Sequence, residues 1–299
     1  MTTWQAIILG IVQGLTEFIP ISSTAHLVFA ARVLGLYSAA DKTLQAQQTT
    51  ATMAVIQLGT LLAVISYFAR DLLNISHAFL RDHLSLLNPR NSNPSNATGR
   101  LSREAWLGWL VIIGSIPVSV VGLYFKEEIE GSFTKNLWMI ATMMIVVAIL
   151  LALAEALGKR NRTMAELGLR DALAVGCAQV LALIPGSSRS GSTIMGGLFV
   201  GETRETAARF SFLLSIPAIA ASGLLELNEA ITKLPSGSYF ALFIATVVSG
   251  VVGYASIWFL LRFLRKNSTA IFIGYRIIVG GLILLLLYKG YIASDQVAY

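Results

Sequence analysis

Long apolar segments dominate the chain and predict helices that cross a membrane. Six of these segments reach about 20 residues, which is the length that an α-helix needs to cross the hydrocarbon core of a bilayer. They lie at about 51–69, 105–125, 137–157, 207–226, 239–262 and 271–290. The pattern predicts an all-α integral membrane protein with six spanning helices.

Two further apolar regions are each interrupted by a polar turn. Residues 4–36 break at 20–24, and residues 171–201 break at 185–192. Each half has about 12–16 residues, which is too short to span a bilayer alone. Polar backbone at membrane depth is tolerated only where it is buried in protein or lines a water-filled cavity. We therefore expect two re-entrant helix hairpins with polar tips.

The two halves of the chain share one plan. Residues 1–157 contain one hairpin and three spans, and residues 171–290 repeat that order. The echo extends to the residues before each turn, because 10–13 and 176–179 both begin with Gly and end with Gln. An odd number of spans inverts the second unit, and such repeats place their sites between the units near the midplane. We predict one membrane domain, 1–299, in which the two hairpin tips meet.

The polar segments between the spans indicate the orientation. The longest, residues 70–104, reads as a mobile loop, because its part at 88–99 is rich in Asn, Pro, Ser and Gly. This loop and the loops at 158–170 and 262–270 are rich in arginine and lysine. Because basic loops stay on the cytoplasmic side, we assign all three to the cytoplasm and both termini to the outer face.

Composition agrees with a membrane protein. The chain is 55% hydrophobic and 13% charged, whereas soluble proteins are about 25% charged. The basic loops account for its net charge of +6, so we expect no nucleic-acid partner. Cys177 is the only cysteine, which excludes an intrachain disulfide and argues against a cysteine metal cluster. It lies in an apolar segment, where we expect it to pack.

Arg189, in the second turn, is the strongest functional signal. A charge near the bilayer centre costs at least about 2.5–3.5 kcal/mol on insertion scales, so it needs a partner or a function. A guanidinium matches phosphate oxygens bidentately, and a helix N-terminus adds free N–H donors. Around it, hydroxyls and glycines predict an anion site built from Gly186, Ser187, Ser188, Ser190 and Gly191. The alternative is a Ser/Gly packing surface in which Arg189 pairs with a carboxylate such as Glu17.

Glu17 precedes the first turn and is equally costly in lipid. It could bind a divalent cation, act as a base or neutralise Arg189. Gln13 lies one turn earlier on the same helix face, so both side chains can serve one centre. A single carboxylate is a thin site for Mg²⁺, but this ion keeps several waters and uses phosphate oxygens of its substrate.

The first turn also carries a candidate nucleophile. His26 follows Ser23 by three residues, so the two share a face of a helix that begins at Ser22. This pairing suits a Ser–His nucleophile and base, or a histidine that attacks phosphorus directly. A purely structural histidine is the alternative. Ser22 and Thr24 add hydroxyls that could bind the substrate.

Several other polar residues interrupt the spans. Small and polar residues in membrane helices usually mediate packing. We assign packing first, and cavity lining second, to Gln57, Gly59, Ser211 and Ser215. Glu155 and Arg276 lie near span ends, where they could pair or snorkel, and we give them no catalytic role.

At these residues the chain resembles the bacterial undecaprenyl-diphosphate phosphatases associated with bacitracin resistance. The resemblance covers nearly the whole chain, including residues 56–59 and 210–214. Its main motifs run from Gln13 to Glu17, from Phe18 to His26 and from Pro185 to Gly191. Position 13 is Gln where many members have Glu, which puts a two-carboxylate mechanism in doubt.

The resemblance implies a multi-pass enzyme of the bacterial inner membrane with its active site open to the outer, periplasmic side. It would remove the terminal phosphate of undecaprenyl diphosphate with a divalent cation, Mg²⁺ or Ca²⁺. Glu17 would bind the metal or transfer protons. Ser23 and His26 would be nucleophile and base in an open order. Arg189 would clamp the diphosphate, helped by Ser188 and Ser190.

The expected partners are a polyprenyl diphosphate and bilayer lipid, with a second copy of the chain as a further option. Two other classes of function compete. A transporter can share this architecture, since helix N-termini can hold an anion without cleaving it. The grouping of Ser23, His26 and Glu17 favours chemistry. A structural subunit would leave Arg189 and Glu17 without explanation.

Overall fold

The computed structural model describes residues 1–36, 42–87, 101–125, 136–234, 236–292 and 294. Their regular structure is helical. The α-helices are α1 (Thr3–Phe18), α2 (Ser23–Val33), α3 (Lys42–Tyr67), α4 (Ala69–Leu87), α5 (Arg103–Tyr124), α6 (Leu137–Leu157), α7 (Leu169–Val180), α8 (Arg189–Phe199), α9 (Arg204–Lys233), α10 (Tyr239–Leu264) and α11 (Ala270–Tyr288). Short 3₁₀ turns lie at Met164–Glu166, Leu181–Leu183 and Ser236–Ser238.

Six helices are long and apolar enough to cross a bilayer, which confirms the six predicted spans and an all-α integral membrane protein. They are Gln48–Tyr67, Arg103–Tyr124, Leu137–Leu157, Arg204–Gly223, Tyr239–Leu264 and Ala270–Tyr288. The first and fourth begin a few residues earlier than predicted, because charged and polar residues at a helix start lower the apolar signal but do not stop the helix.

The two interrupted regions each form a pair of shorter helices. α1 and α2 pack together around the first turn, and α7 and α8 pack together around the second. Both turns contain a proline, which cannot donate to a helical hydrogen bond. The next helix begins after a serine with positive φ, 79° at Ser22 and 67° at Ser188. The breaks therefore fall where the sequence predicts them.

The prediction of a loop over 70–104 is wrong for its first half. α4 (Ala69–Leu87) is a helix that packs on α5. Its inner face carries Leu72, Ile75 and Phe79 at helical spacing, but the charged and polar residues on the rest of the helix lower the hydropathy average. Residues 88–99 lie outside the described part of the chain.

Asp82 fixes the far end of α4 to the start of α5. Its carboxylate accepts the Ser102 backbone N–H at 2.7 Å. Burial raises the pKa of Asp82, but hydrogen bonds from Ser102 and Arg81 outweigh this and lower it to about 2. The contact therefore holds the end of α4 next to the start of α5.

Close helix crossings hold the bundle together. α10 packs along α1 and α3, α9 along α3, α11 along α6, and α5 along α7. A Cβ on Gly59 would lie 2.1 Å from the Thr246 carbonyl oxygen, so α3 and α10 touch through their backbones. The packing role predicted for Gly59 is confirmed. Cys177, in contrast, is exposed at the surface of the chain, so its predicted packing is wrong.

Three phenylalanines pack together in the largest buried cluster of the bundle. Phe18 and Phe212 meet edge to face with their ring centroids 5.3 Å apart. Phe68 lies 6.4 Å from Phe212, centroid to centroid. All three side chains are at most 1% exposed. We call these residues the phenylalanine layer; it begins immediately after Glu17 in the sequence.

Candidate active site

Glu17 occupies the last turn of α1 and is only 7% exposed. Gln13 Nε2 donates to Glu17 Oε2 at 3.0 Å, as their spacing of four residues predicts. Gln57 Nε2, from α3, donates to Oε1 at 3.4 Å. Gln57 therefore joins α3 to α1 through a hydrogen bond and also contacts the candidate site, which combines the packing role and the lining role considered for it. Each carboxylate oxygen of Glu17 thus accepts a hydrogen bond from an amide side chain.

Arg189 begins α8 and contacts Glu17 directly. One guanidinium nitrogen forms an ion pair with Glu17 Oε1. The other terminal nitrogen donates to the Ser215 carbonyl oxygen of α9 at 3.2 Å. The contact joins the two broken regions of the chain, as predicted. It also matches the alternative in which the two charges neutralise each other, because the guanidinium has a carboxylate partner in this state.

The serines that precede α2 and α8 adopt an unusual backbone conformation. A positive φ in a residue with a Cβ costs roughly 1–2 kcal/mol, and such strain is commonly stored at functional sites. Ser188 Oγ accepts the Gly191 N–H at 3.2 Å and lies 3.3 Å from Ser190 Oγ. In the described part of the chain, the buried hydroxyls of Ser22 and Ser187 have no hydrogen-bond partner. Buried polar atoms without partners are uncommon, so these two hydroxyls are candidates for contact with a ligand.

Gly186 is required by the geometry of the second turn. Its φ is +93°, and a Cβ there would lie 2.2 Å from the Ile140 carbonyl oxygen of α6. Gly191, on the first turn of α8, lies close to a second arginine, since a Cβ there would be 3.3 Å from a terminal nitrogen of Arg276. Both predicted glycines thus let the backbone approach its neighbours closely.

His26 lies in α2 with both ring nitrogens engaged. Nδ1 lies 2.7 Å from the Ser22 carbonyl oxygen, and Nε2 lies 2.6 Å from the Tyr275 hydroxyl. Because a carbonyl only accepts, Nδ1 carries the hydrogen and Nε2 accepts from Tyr275 in the neutral ring. The expected contact between His26 and Ser23 is replaced by these two. Ser23 and Thr24 are half-buried in the first turn of α2.

Arg276 contradicts the assignment made from sequence. It is completely buried in α11, and it neither snorkels nor pairs with Glu155. Glu155 instead pairs with Arg160 and Arg204. The Arg276 guanidinium donates to five carbonyl oxygens, those of Met143, Met144, Pro20, Gly186 and Ser187, at 3.0–3.4 Å.

Those five bonds connect Arg276 to both polar turns. One goes to Pro20 in the first turn, and two go to Gly186 and Ser187 in the second. Among the described residues, Arg276 forms no ion pair, so carbonyl dipoles stabilise its charge. Sequence reasoning missed this role because backbone acceptors leave no mark in the residue pattern. The neighbouring Tyr275 was missed because its contact with His26 joins residues 249 positions apart in the chain.

The other predicted serines contact the same region. Ser211 Oγ and Thr193 Oγ1 are within hydrogen-bond distance, joining α9 to α8. Ser215 contributes its carbonyl oxygen to Arg189, while its hydroxyl returns to Phe212 of the same helix. Ser211 therefore packs as predicted, and Ser215 lies next to the site through its backbone.

A divalent cation would find few protein ligands here. In the part of the chain that the structure describes, no three His, Cys, Asp or Glu side chains lie close enough to hold a metal ion. Glu17 supplies a carboxylate, and Gln13 Oε1 is buried with no hydrogen-bond partner among the described residues. These oxygens fit an ion that takes its remaining ligands from phosphate and water, as Mg²⁺ commonly does.

The fold and the site define a multi-pass helical membrane protein with a buried, ion-paired polar centre between two broken helices. The sequence pattern of the bacitracin resistance protein BacA family matches residues 6–282. The chain therefore belongs to this family, which confirms the resemblance.

Relatives match along nearly their whole lengths. An undecaprenyl-diphosphatase of Syntrophobacter fumaroxidans is 49% identical over 289 residues, covering 97% of this chain and 99% of the relative. The undecaprenyl-diphosphatase of Chlorobium phaeovibrioides is 47% identical over 300 residues, covering 97% and 99%. That of Mycolicibacterium gilvum is 44% identical over 297 residues, covering 98% and 100%.

Proposed function

We propose that the protein hydrolyses undecaprenyl diphosphate to undecaprenyl phosphate and inorganic phosphate, and so recycles the lipid carrier for peptidoglycan synthesis. One observation carries the proposal: the contact between Arg189 and Glu17 joins two turns rich in hydroxyls inside an apolar bundle. The full-length similarity to undecaprenyl-diphosphatases supports the choice of substrate.

Arg189 is the diphosphate clamp in this proposal. In the resting state its donors are occupied by Glu17 and the Ser215 carbonyl. Phosphate oxygens replace these partners and accept two parallel hydrogen bonds from the guanidinium. The unpartnered hydroxyls of Ser22 and Ser187 add donors, as do the first N–H groups of α8. Binding thus replaces an internal ion pair by one with the substrate.

Glu17 and Gln13 are the residues that would hold a divalent cation. When bound, such an ion neutralises the negative charge that develops on the leaving diphosphate oxygen. Glu17 can serve this role because binding of the substrate frees it from Arg189. Gln13 supplies an oxygen but no base, so proton transfer in this part of the site rests on Glu17.

His26 Nε2 is the reactive ring atom in this scheme. The Ser22 carbonyl fixes the hydrogen on Nδ1, which leaves the Nε2 lone pair to accept from the Tyr275 hydroxyl until substrate binds. Either Nε2 takes the Ser23 hydroxyl proton as Ser23 attacks the terminal phosphorus, or Nε2 attacks it directly. In both cases the bridging P–O bond breaks, undecaprenyl phosphate leaves, and water then releases inorganic phosphate from the enzyme.

Arg276 is a positioning residue for this reaction. It contacts the carbonyl oxygens of both turns, so it fixes the distance between the His26 side and the Arg189 side. The guanidinium of Arg276 donates to backbone carbonyl oxygens, whereas that of Arg189 can exchange its partners for phosphate oxygens of the substrate. We infer that the two arginines divide the work between holding the site and binding the ligand.

The site faces the periplasmic side of the bacterial inner membrane in this proposal, and residues 1–157 and 171–290 form inverted repeats. An exchange of packing partners supports the repeat. α1 pairs with α2 and packs on α10 of the other half, and α7 pairs with α8 and packs on α5. Homodimer formation remains a separate prediction.

The test is phosphate release by purified protein in detergent from a polyprenyl diphosphate, with Mg²⁺, with Ca²⁺ and with a chelator. We expect release that depends on the metal and is lost in Arg189→Ala. A matched control is Arg262→Ala, which removes an exposed arginine at the end of α10. Binding of the diphosphate without release by the wild-type protein would favour a carrier instead.

A further inference from the structure

A polar cavity lies on the face that carries the basic loops. It has a volume of about 710 Å³ and is lined by α4, α5, residues 160–165, the first three turns of α9 and the end of α10. The phenylalanine layer separates it from Glu17, since Arg209 in its wall lies over the Phe68 ring, 5.6 Å from the centroid. None of the candidate active-site residues lines it.

The cavity has an excess of positive charge. Five arginines line it: Arg103, Arg160, Arg204, Arg209 and Arg265. The acidic residues in its wall are Asp71, Glu104 and Glu205. Glu155 lies outside the lining and pairs with both Arg160 and Arg204. Even with Glu155 included, the cations exceed the anions, so the cavity favours a ligand with a negative charge.

Two of these arginines keep unused donors. In the described part of the chain Arg103 forms no ion pair and donates to the Met164 carbonyl oxygen at 2.7 Å. Arg209 pairs with Asp71 at 2.9 Å through a terminal nitrogen, while its buried Nε has no hydrogen-bond partner among the described residues. Buried donors without acceptors are uncommon and point to a missing partner.

An apolar groove continues from the cavity. It has a volume of about 390 Å³ and shares Ile75 and Leu213 with the cavity wall. Its other lining residues come from α4, α5 and α9 and include Phe79, Ile112 and Pro217. A charged chamber that opens into an apolar channel on the side of a membrane protein matches a lipid, with a headgroup and a hydrocarbon chain.

We propose that this basic face binds a lipid with a phosphate headgroup. The phosphate lies between Arg103 and Arg209, and one hydrocarbon chain follows the groove between α4 and α9. Charge selects an anionic phosphate headgroup over a zwitterionic one, and the groove selects a lipid over free phosphate. A membrane phospholipid and an isoprenoid monophosphate share this chemistry. The site is independent of the proposed hydrolysis, because it uses none of the same residues.

Native mass spectrometry of the purified protein tests the proposal. The probes are phosphatidylglycerol, phosphatidylcholine, a polyprenyl monophosphate and inorganic phosphate. We expect one phosphate lipid with a net negative charge to remain bound in preference to phosphatidylcholine. Retention of phosphatidylglycerol identifies the membrane phospholipid as a ligand, and preferential retention of the monophosphate identifies the isoprenoid. Inorganic phosphate alone should not be retained.

Two pairs of variants locate the site. Arg209→Gln should weaken binding about tenfold, the usual effect of losing a hydrogen bond to a charged group. Arg262→Gln is its control on the same face. Ile112→Trp fills the groove and should also displace the lipid, whereas Ile116→Trp, one turn further along α5 and similarly exposed at 51% against 47%, should not. Equal retention of phosphatidylcholine and phosphatidylglycerol, or unchanged binding in both test variants, would overturn the proposal.

Discussion

The two polar turns share one backbone conformation but carry side chains of opposite charge. Each contains a proline, places a serine in a positive-φ conformation and starts a helix of 11 residues. The first turn is flanked by a carboxylate and an imidazole, Glu17 and His26, while the second provides Arg189. The same strained helix start therefore presents complementary side chains in the two turns, and a site forms where the turns meet.

The turns also differ by one residue in length. The serine with positive φ follows the proline by two positions in the first turn, at Ser22, and by three in the second, at Ser188. Gly186, with φ of +93°, occupies the extra position. The sequence echo therefore pairs Ser22 with Ser187, whereas the backbone pairs it with Ser188. Small insertions of this kind are visible only once φ angles are known.

Replacing Arg189 should have the largest effect of any single change in the two turns. Arg189→Ala removes the charge that meets the phosphate, so we expect phosphate release to fall by about 10²–10³-fold. Arg189→Lys keeps the charge but loses the planar fork and should recover only part of the rate. Steady-state release in detergent measures both. Normal turnover by Arg189→Ala would refute the clamp.

Removing Arg276 should loosen both turns together. Arg276→Met leaves buried carbonyl oxygens without donors, each costing about 1–3 kcal/mol, and should lower the thermal unfolding midpoint. Misplaced groups should lower kcat by about 100-fold. A larger fall in kcat than rise in KM would indicate positioning, and partial rescue by Arg276→Lys would support it. An unchanged kcat in a folded Arg276→Met protein contradicts this role.

Changes on the histidine side should separate the nucleophile from its support. We expect His26→Ala to abolish most of the rate, because no other residue of the first turn carries an imidazole. Tyr275→Phe removes one hydrogen bond and should cost up to about tenfold. Both rates come from the same release assay. If Ser23→Ala and His26→Ala both turn over normally, neither residue is the nucleophile.

Replacing the strained serines should have the smallest effect, but it compares the two turns most directly. Ser22→Gly relieves the positive φ and loses no backbone cap, so the free energy of unfolding should rise by about 1 kcal/mol. Ser188→Gly relieves similar strain but loses the hydrogen bond to the Gly191 N–H, and should be nearly neutral. Thermal unfolding in one detergent compares them. Equal shifts would mean that the cap at Ser188 contributes nothing.

Much of the fold was predictable because burial in lipid is so restrictive. Long apolar runs gave the six spans, and the cost of a buried charge pointed to Arg189 and Glu17 as partners. The helix α4 was not predicted because the apolar stripe on its inner face is narrow. The role of Arg276 was not predicted because its partners are backbone carbonyls, which any residue can supply. The contact of Gln57 with Glu17 could not be predicted, because it depends on which faces of α1 and α3 meet.

The phenylalanine layer also bears on the membrane potential. If the site of the proposed function and the basic cavity opened to opposite sides of the bilayer, a continuous file of water between them would conduct protons and ions. Phe18, Phe68 and Phe212 are at most 1% exposed and pack edge to face or tilted, so they leave no room for water where they meet. In that arrangement the three rings would act as a seal between two polar sites.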